Sequence, residues 1–367
     1  MNTKSIKTLH IFSGVGGGIS TWIRKASQFS DGKYTIDAMA FSVTNKSSFI
    51  DIIEDNGGNC YEMPRIRNGV IGLIKYVVMI IEKNQYDVIH CHIDGYSALP
   101  FWIATKKCKK KLIIHSHRTA IEKVAGKKYE NAIYAINRVA NVLLAKYKVA
   151  CGEMAAAFAF GNSTYVKILY NGINPILPLE VEEDNRSRTI NLLALGRLNV
   201  VKNHLFMLKV AKSLKEKHVP FHLFIVGDGD LKDEITEKII ELGLCDEVSM
   251  EGYCNTPELY LQRCDVFLMP SFSEGLPTVM LEAQGYGCNI ISSDRVTKEC
   301  DLGLGLVSYV GISENDIDVW AELIKKYSEN KVLISQEVIN SAMCEKGFIN
   351  QKIYDDYYSY IKEIVEK

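Results

Sequence analysis

Short, nearly uninterrupted apolar runs alternate along the chain with longer stretches whose apolar residues recur three and four positions apart, separated by glycine-rich or polar turns. Uninterrupted runs predict strands buried on both faces, and the 3.6-residue stretches predict the helices that cover them, so the pattern is that of an α/β chain with parallel sheets. In the first half, strands are expected at 8–12, 34–41, 59–61, 86–92, 111–117, 148–150 and 166–169. Helices are expected from Ile19 onward and over about 69–83, 98–105, 129–145 and 153–160. The second half predicts strands at 190–195, 221–226, 248–251, 265–269 and 289–291, with helices opening after Asn203, at Leu231, near Pro277 and at Trp320. Residues 175–188 are rich in proline and charge without a period, which reads as a linker. The organisation expected is a first Rossmann-like domain over 1–172 and a second over 173–350. A tyrosine-rich terminal helix over 351–367 is expected to pack back on the first domain.

A chain of 367 residues is long enough for two such cores. Its 10 cysteines are scattered without a C-x-x-C pair, which predicts reduced thiols. The opening residues carry no apolar run and no stretch is long enough to span a membrane, so the expected location is cytoplasmic. Charge refines this. The formal net charge of −1 conceals a division, because residues 1–172 hold 23 Lys and Arg against 12 Asp and Glu, and the remainder holds 20 against 32. A basic first half could serve nucleic acid or an anionic membrane surface, or could attract an acidic neighbouring domain; nucleic acid is not among the partners expected. The run Lys106-Lys107-Cys108-Lys109-Lys110-Lys111 reads either as a solvated turn or as a peripheral docking site on the inner face of the membrane.

Candidate chemistry in the first half lies at the ends of expected strands. Ser13-Gly14-Val15-Gly16-Gly17-Gly18 follows the first strand, but the dinucleotide fingerprint G-x-G-x-x-G requires glycine where Ile19 stands, and Asp37 precedes its apolar run instead of ending it. NAD binding is excluded on these grounds, whereas Gly17 and Gly18 still permit close approach of the backbone to a phosphate or substrate. Two later strands each end in H-x-H, as His90-Cys91-His92 and His115-Ser116-His117. Parallel strands place both pairs at the carboxyl edge, where open α/β sheets bind ligands. Four histidines could supply a zinc site. His90 and His115 should lie one pleat deeper, however, which favours structural roles for these two.

In the second half, Gly196-Arg197-Leu198 and Lys202-Asn203 put two cations beside a strand end and a helix start, where they could hold a diphosphate. Asp228-Gly229-Asp230 has the form of a D-x-D metal pair, but Asp230 is well placed to cap the helix expected from Leu231, and the cap is the favoured reading. The stretch from Pro270 to Gly287, PSFSEGLPTVMLEAQGYG, places Glu274 in a loop and Glu282 inside a helix that Pro277 should open. Backbone N–H groups around Gly275, Leu276 and Thr278 would favour an anion there; Pro277 has none. Spacing alone leaves open whether the glutamates bind hydroxyls or are solvated charges.

The E-G-L-P and E-A elements of this stretch resemble the E-x7-E signature of the family 4 retaining glycosyltransferases. That resemblance implies the GT-B architecture, two facing Rossmann-like domains with an interdomain cleft, and a nucleoside-diphosphate sugar, expected to be a UDP-hexose. It implies that Glu274 contacts the transferred sugar, Glu282 the ribose, Arg197 and Lys202 the diphosphate, and Gly275, Leu276, Pro277 and Thr278 the bound donor. Tyr253 and Asn255 fall in the segment that contacts the base, and Gly17 and Gly18 match the glycine pair of the first loop. His117 matches a histidine near the transferred sugar and acceptor, with His92 flanking it. The L-Y-N-G-I segment resembles the hinge, with Tyr170 in place of the usual proline. No metal and no cofactor are implied, since the nucleotide sugar is itself a substrate. The acceptor implied is a glycan or polyprenyl-diphosphate-linked precursor of a bacterial exopolysaccharide or capsule. The alternatives are a GT-B sugar-nucleotide epimerase and a non-catalytic module that binds sugar nucleotides or membranes.

Overall fold

In the first unit of the computed structural model, β1 (Ile6–Phe12) and β2 (Tyr34–Ala40) are joined through α1 (Gly18–Gln28), and α2 (Ser47–Asp55) leads to β3 (Cys60–Glu62). The alternation continues through α3 (Val70–Asn84), β4 (Val88–Cys91), α4 (Leu99–Lys107), β5 (Lys111–Ser116), α5 (Glu130–Leu144), β6 (Tyr147–Ala150), α6 (Glu153–Phe160) and β7 (Lys167–Ile168). The second unit runs β8 (Ile190–Leu195), α7 (His204–Glu216), β9 (Phe221–Val226), α8 (Lys232–Glu241), β10 (Val248–Gly252), α9 (Glu258–Leu261) and β11 (Val266–Met269). It closes with α10 (Thr278–Gly285), β12 (Asn289–Ser293), β13 (Val307–Val310), α11 (Ile317–Glu329) and α12 (Gln336–Glu345). A terminal helix, α13 (Asn350–Glu366), belongs to the first unit. The described residues are 5–43, 47–65, 69–118, 130–176, 189–329 and 334–367. They fall into one unit of Met1–Gly172 with Gly347–Lys367 and another of Ile173–Lys346. The linker expected at 175–188 lies outside the described residues from 177 onward.

Both sheets are parallel. The first has the order β3-β2-β1-β4-β5-β6-β7 and the second β10-β9-β8-β11-β12-β13. Strand alternation sorts the first sheet into two apolar layers. Leu9, Ile11, Ile89, Cys91, Leu112 and Ile114 pack under α3, α4, α5 and α6. Phe12, Val88, Ile113 and Val149 face the opposite way, toward α1, α2 and α13. Tyr354, Tyr357, Tyr358 and Ile361 of α13 recur at helical spacing, and all are buried in that second layer. In the second unit, Leu192, Leu223, Ile225 and Leu268 of the strands meet Phe206, Leu208, Ile235 and Trp320 of the helices, and Leu193, Phe267 and Ile290 are also buried.

Three features differ from the expectations above. Asp230 does not cap the next helix: α8 starts at Lys232 with Leu231 in the cap position, and the Asp230 carboxylate instead lies 3.3 Å from Arg197. Lys111 is not available to a membrane, because its Nζ donates to the carbonyls of Ile364 and Val365, the latter at 3.0 Å. Those carbonyls end α13, where a cation also complements the helix dipole. Finally, β13 is a half-buried edge strand without an apolar run, and neither it nor α9 and α12 is legible as an element in the sequence. Among the described residues no helix is long and apolar enough to cross a membrane.

Candidate active site

The carboxyl ends of the second sheet are stitched together by their loops. Gly196 N–H donates to Val226 O, Leu198 N–H to Asp228 O and Gly227 N–H to Gly252 O, at 3.0, 3.0 and 2.8 Å. Gly227 has to be glycine here, since its φ is +148° and a Cβ would lie 1.8 Å from Gly196 O. The two glycines of G-D-G-D are thus explained by close backbone packing of the loops after β8 and β9, since a Cβ at Gly229 would likewise lie 2.3 Å from Leu198 O. These bonds line up the Arg197 loop, the 227–228 turn and the loop after β10, which carries the exposed Tyr253 and Asn255, along the carboxyl edge of the sheet.

A second set of bonds fixes Lys202. The Asn199 side chain accepts from Lys202 N–H at 3.2 Å, Asn203 Nδ2 donates to Pro270 O at 3.2 Å, and Phe272 N–H donates to Val201 O at 2.8 Å. The loop after β8 is thereby tied to the loop after β11, and Lys202 Nζ comes to 2.8 Å from Glu274 Oε1. Both side chains are largely buried, at 19% and 16% exposure, so this contact is far better shielded than the Arg197–Asp230 pair at 67% and 82%. Pro277 occupies the cap position of α10 and offers no side-chain acceptor to the first helical N–H groups. A largely buried cation and an uncapped helix start therefore share the loop of Gly275, Leu276 and Thr278, which is an arrangement suited to an anion. Glu282 lies half-buried within α10. His204 opens α7 next to Lys202 and is held neutral at an acidity near 4, by burial and then by that cation.

In the first unit the H-x-H strands bring together more than the sequence indicates. His10 of β1 is in register with His90 of β4, and both side chains are on the face covered by α1 and α13. A continuous line of hydrogen bonds joins five imidazoles and one phenol. His117 Nε2 is 2.9 Å from His92 Nδ1, and His92 Nε2 is 3.0 Å from His10 Nδ1. Tyr357 Oη lies 3.0 Å from His10 Nε2 and 3.3 Å from His90 Nδ1, and His90 Nε2 is 3.2 Å from His115 Nδ1. The line ends at His115 Nε2, which is buried and without a hydrogen-bond partner. Burial holds His10 and His117 neutral down to about 3. Burial, reinforced by the neighbouring imidazoles, also drives His90, His92 and His115 well below the ordinary histidine range.

His10 and Tyr357 are the members that the sequence reading does not find. The H-x-H pairs do assemble, and His115 is not fully satisfied as a structural histidine would be. The ring nitrogens of His10, His90 and His92, and those of His92, His115 and His117, lie within 4.8 Å of one another, close enough for a metal ion. Most of those nitrogens are already engaged with one another in the line described. Gly17 precedes α1 and Gly18 is its first residue, at the carboxyl end of β1. Asp94, after β4, accepts from Ser116 Oγ at 2.9 Å and pairs with Arg118.

The sequence profile described as Glycosyl transferases group 1 matches residues 180–343. EpsF of Bacillus subtilis, which carries the name of a glycosyltransferase, is 32% identical over 346 residues, covering 89% of this chain and 88% of EpsF. An Escherichia coli protein named UDP-Gal:alpha-D-GlcNAc-diphosphoundecaprenol alpha-1,3-galactosyltransferase is 24% identical over 291 residues, 74% of this chain and 73% of its own. Among solved structures, HepE of Anabaena in complex with UDP and glucose superposes with a TM-score of 0.73 at 17% identity, over 98% of this chain and 100% of HepE. That likeness establishes the fold as GT-B.

Proposed function

Because the chain belongs to the group 1 glycosyl transferases, we propose that it moves a hexose from a UDP-sugar, with retention of anomeric configuration, to a glycan or polyprenyl-diphosphate-linked acceptor during exopolysaccharide or capsule assembly. The observation that most supports this is the Lys202–Glu274 pair beside the uncapped start of α10, a shielded cation and carboxylate at an anion-binding backbone. The name of the E. coli relative, with its UDP-linked donor and lipid-diphosphate acceptor, suggests the substrate classes.

In this reading, departure of the diphosphate builds negative charge that Lys202, Arg197 and the N–H groups of Gly275, Leu276 and Thr278 stabilise in place. Glu274 holds the transferred sugar and positions Lys202, and Glu282 holds the ribose. Tyr253 and Asn255 flank the base. No carboxylate is assigned as nucleophile, and attack proceeds on the face the diphosphate leaves. His117, flanked by His92, orients the sugar or acceptor alongside the Gly17-Gly18 loop, and its neutrality suits hydrogen bonding to hydroxyls.

The test is turnover of Lys202→Ala and Arg197→Ala with UDP-sugars. Each should lose about 2–4 kcal/mol of transition-state stabilisation, as removal of an oxyanion donor does. Lys202→Ala should lose more, because its cation is the better shielded of the two. Near-wild-type turnover in both variants would remove the diphosphate assignment. An isomerised sugar after incubation with donor alone would identify an epimerase instead.

A further inference from the structure

The two helical layers of the first sheet treat water differently. On the layer of α1, α2 and α13 no large apolar side chain is exposed among the described residues. On the other layer, α5 alone exposes Ile133, Ile136, Val139, Val142 and Leu143, with Leu143 at 75% and Ile136 and Val139 at 57% each. Leu99 and Ile103 of α4, which packs beside α5, extend this surface, and Ile71 and Met79 of α3 extend it further.

The orientation of α5 explains why this is not ordinary surface scatter. Tyr134, Asn137 and Asn141 point inward. Asn141 Oδ1 accepts from Gly95 N–H at 2.6 Å while its Nδ2 donates to Ala159 O at 3.2 Å. Asn137 Oδ1 accepts from Tyr96 N–H at 3.1 Å, and Tyr134 Oη donates to Phe158 O at 3.2 Å. Gly95, at φ +69°, allows this approach, since a Cβ there would lie 2.0 Å from Asn137 Oδ1. The helix is pinned by its amides with its aliphatic stripe turned outward, the reverse of a surface helix that faces water.

Charge narrows the choice of what covers the stripe. Residues 99–107 and 133–144 contain no Asp or Glu, exposed Lys106, Lys107 and Lys109 end α4 and exposed Lys146 follows α5, while the acidic residues of these helices stand at their ends, with exposed Glu82 in the last turn of α3 and Glu130 first in α5. A second copy docking through the same face would set these lysines against their equivalents, whereas an anionic bilayer would attract them and accept the aliphatic side chains between them. We propose that the α4–α5 face of the first unit is a membrane-docking surface, with the outward stripe of α5 entering the headgroup boundary of an anionic bilayer and the lysines binding its phosphates. The surface stands on its own geometry, and only its purpose, meeting a lipid-linked acceptor, rests on the function proposed above.

Co-sedimentation of the full chain with phosphatidylglycerol–phosphatidylcholine vesicles, and with phosphatidylcholine vesicles alone, tests this at low and high salt. The wild type should bind the anionic vesicles, more weakly at high salt. The triple variant Ile136→Ser, Val139→Ser, Leu143→Ser should lose about tenfold or more in partitioning at either salt. Lys106→Gln, Lys107→Gln and Lys109→Gln together should abolish most of the salt dependence. Thermal unfolding and the thermal shift by UDP should be unchanged in both, which separates lost docking from misfolding and from failure of the donor site. Unaltered vesicle binding by the triple variant would overturn the proposal. So would a wild type that ignores vesicles but forms a concentration-dependent dimer dissolved by the triple variant, which would make the face a self-association surface.

Discussion

Replacing Tyr357 by phenylalanine removes a single oxygen but strands two imidazoles, because the phenol lies 3.0 Å from His10 Nε2 and 3.3 Å from His90 Nδ1. Tyr357, His10 and His90 are all fully buried, so water cannot take the place of the lost hydroxyl. Leaving a buried polar group unpaired costs about 1–3 kcal/mol. With two groups stranded, Tyr357→Phe should lower the unfolding free energy by about 2–6 kcal/mol. The same helix supplies the comparison. Tyr354 donates to one carbonyl, Trp22 O, at 3.2 Å, and Tyr358 donates to one, Ala26 O. Trp22 O lies inside α1 and can keep its helical partner, so Tyr354→Phe should cost about 1 kcal/mol, the net worth of one hydrogen bond. In urea unfolding followed by tryptophan fluorescence, Trp22, whose ring centroid is 5.0 Å from that of Tyr357, reports on the first unit together with Trp102, and Trp320 reports on the second. A Tyr357→Phe variant no less stable than Tyr354→Phe would refute a hydrogen-bonding role for the phenol between the two imidazoles.

The five neutral histidines make the first unit sensitive to acid. Their folded acidities lie below the unfolded value, at about 3 for His10 and His117. They therefore gain protons on unfolding, and stability is held above about pH 6.5 and falls as pH drops from there towards 3, by up to about 1.4 kcal/mol per pH unit for each histidine. An unfolding midpoint that does not move between about pH 7 and pH 5 would contradict this. For the glutamates, Glu274→Gln should lower kcat more than Glu282→Gln, since the first is assigned to the reacting sugar and the second to a remote ribose bound equally in ground and transition states; a larger kcat loss for Glu282→Gln would reverse the two roles. Turnover should persist in EDTA. Restoration of lost activity by Mn²⁺ or Mg²⁺ alone would revive Asp228 and Asp230 as ligands, and restoration by Zn²⁺ alone would point to His92, His115 and His117.

The strands that matter for the site were legible because burial on both faces writes them as short apolar runs, as in Val266–Met269 and Ile190–Leu195. The start of α10 was legible to within one residue, because proline favours the first helical position and Pro277 stands one residue before it, in the cap. Contacts that span the chain were not. His10 reads as one polar residue in an alternating strand, and nothing near it signals Tyr357, 347 residues away. The periodicity of α5 announces a helix but does not say which face turns outward; Asn137 and Asn141 decide that by bonding to the 95–96 turn and to Ala159. Asp230 and Lys111 follow the same rule. Local preference offered Asp230 a cap and Lys111 a solvated turn, and distant partners, Arg197 and the end of α13, took them instead.

The stereochemistry of transfer tests the central reading most directly. Purified protein incubated with a UDP-α-hexose and a polyprenyl-diphosphate-linked sugar acceptor, with the product examined by proton NMR, should yield a new glycosidic bond of the same anomeric configuration as the donor. That product should fall sharply with Lys202→Ala. An inverted linkage would remove the retaining mechanism, and intact donor across a panel of UDP-hexoses and acceptors would contradict the transferase assignment made from Lys202, Glu274 and α10.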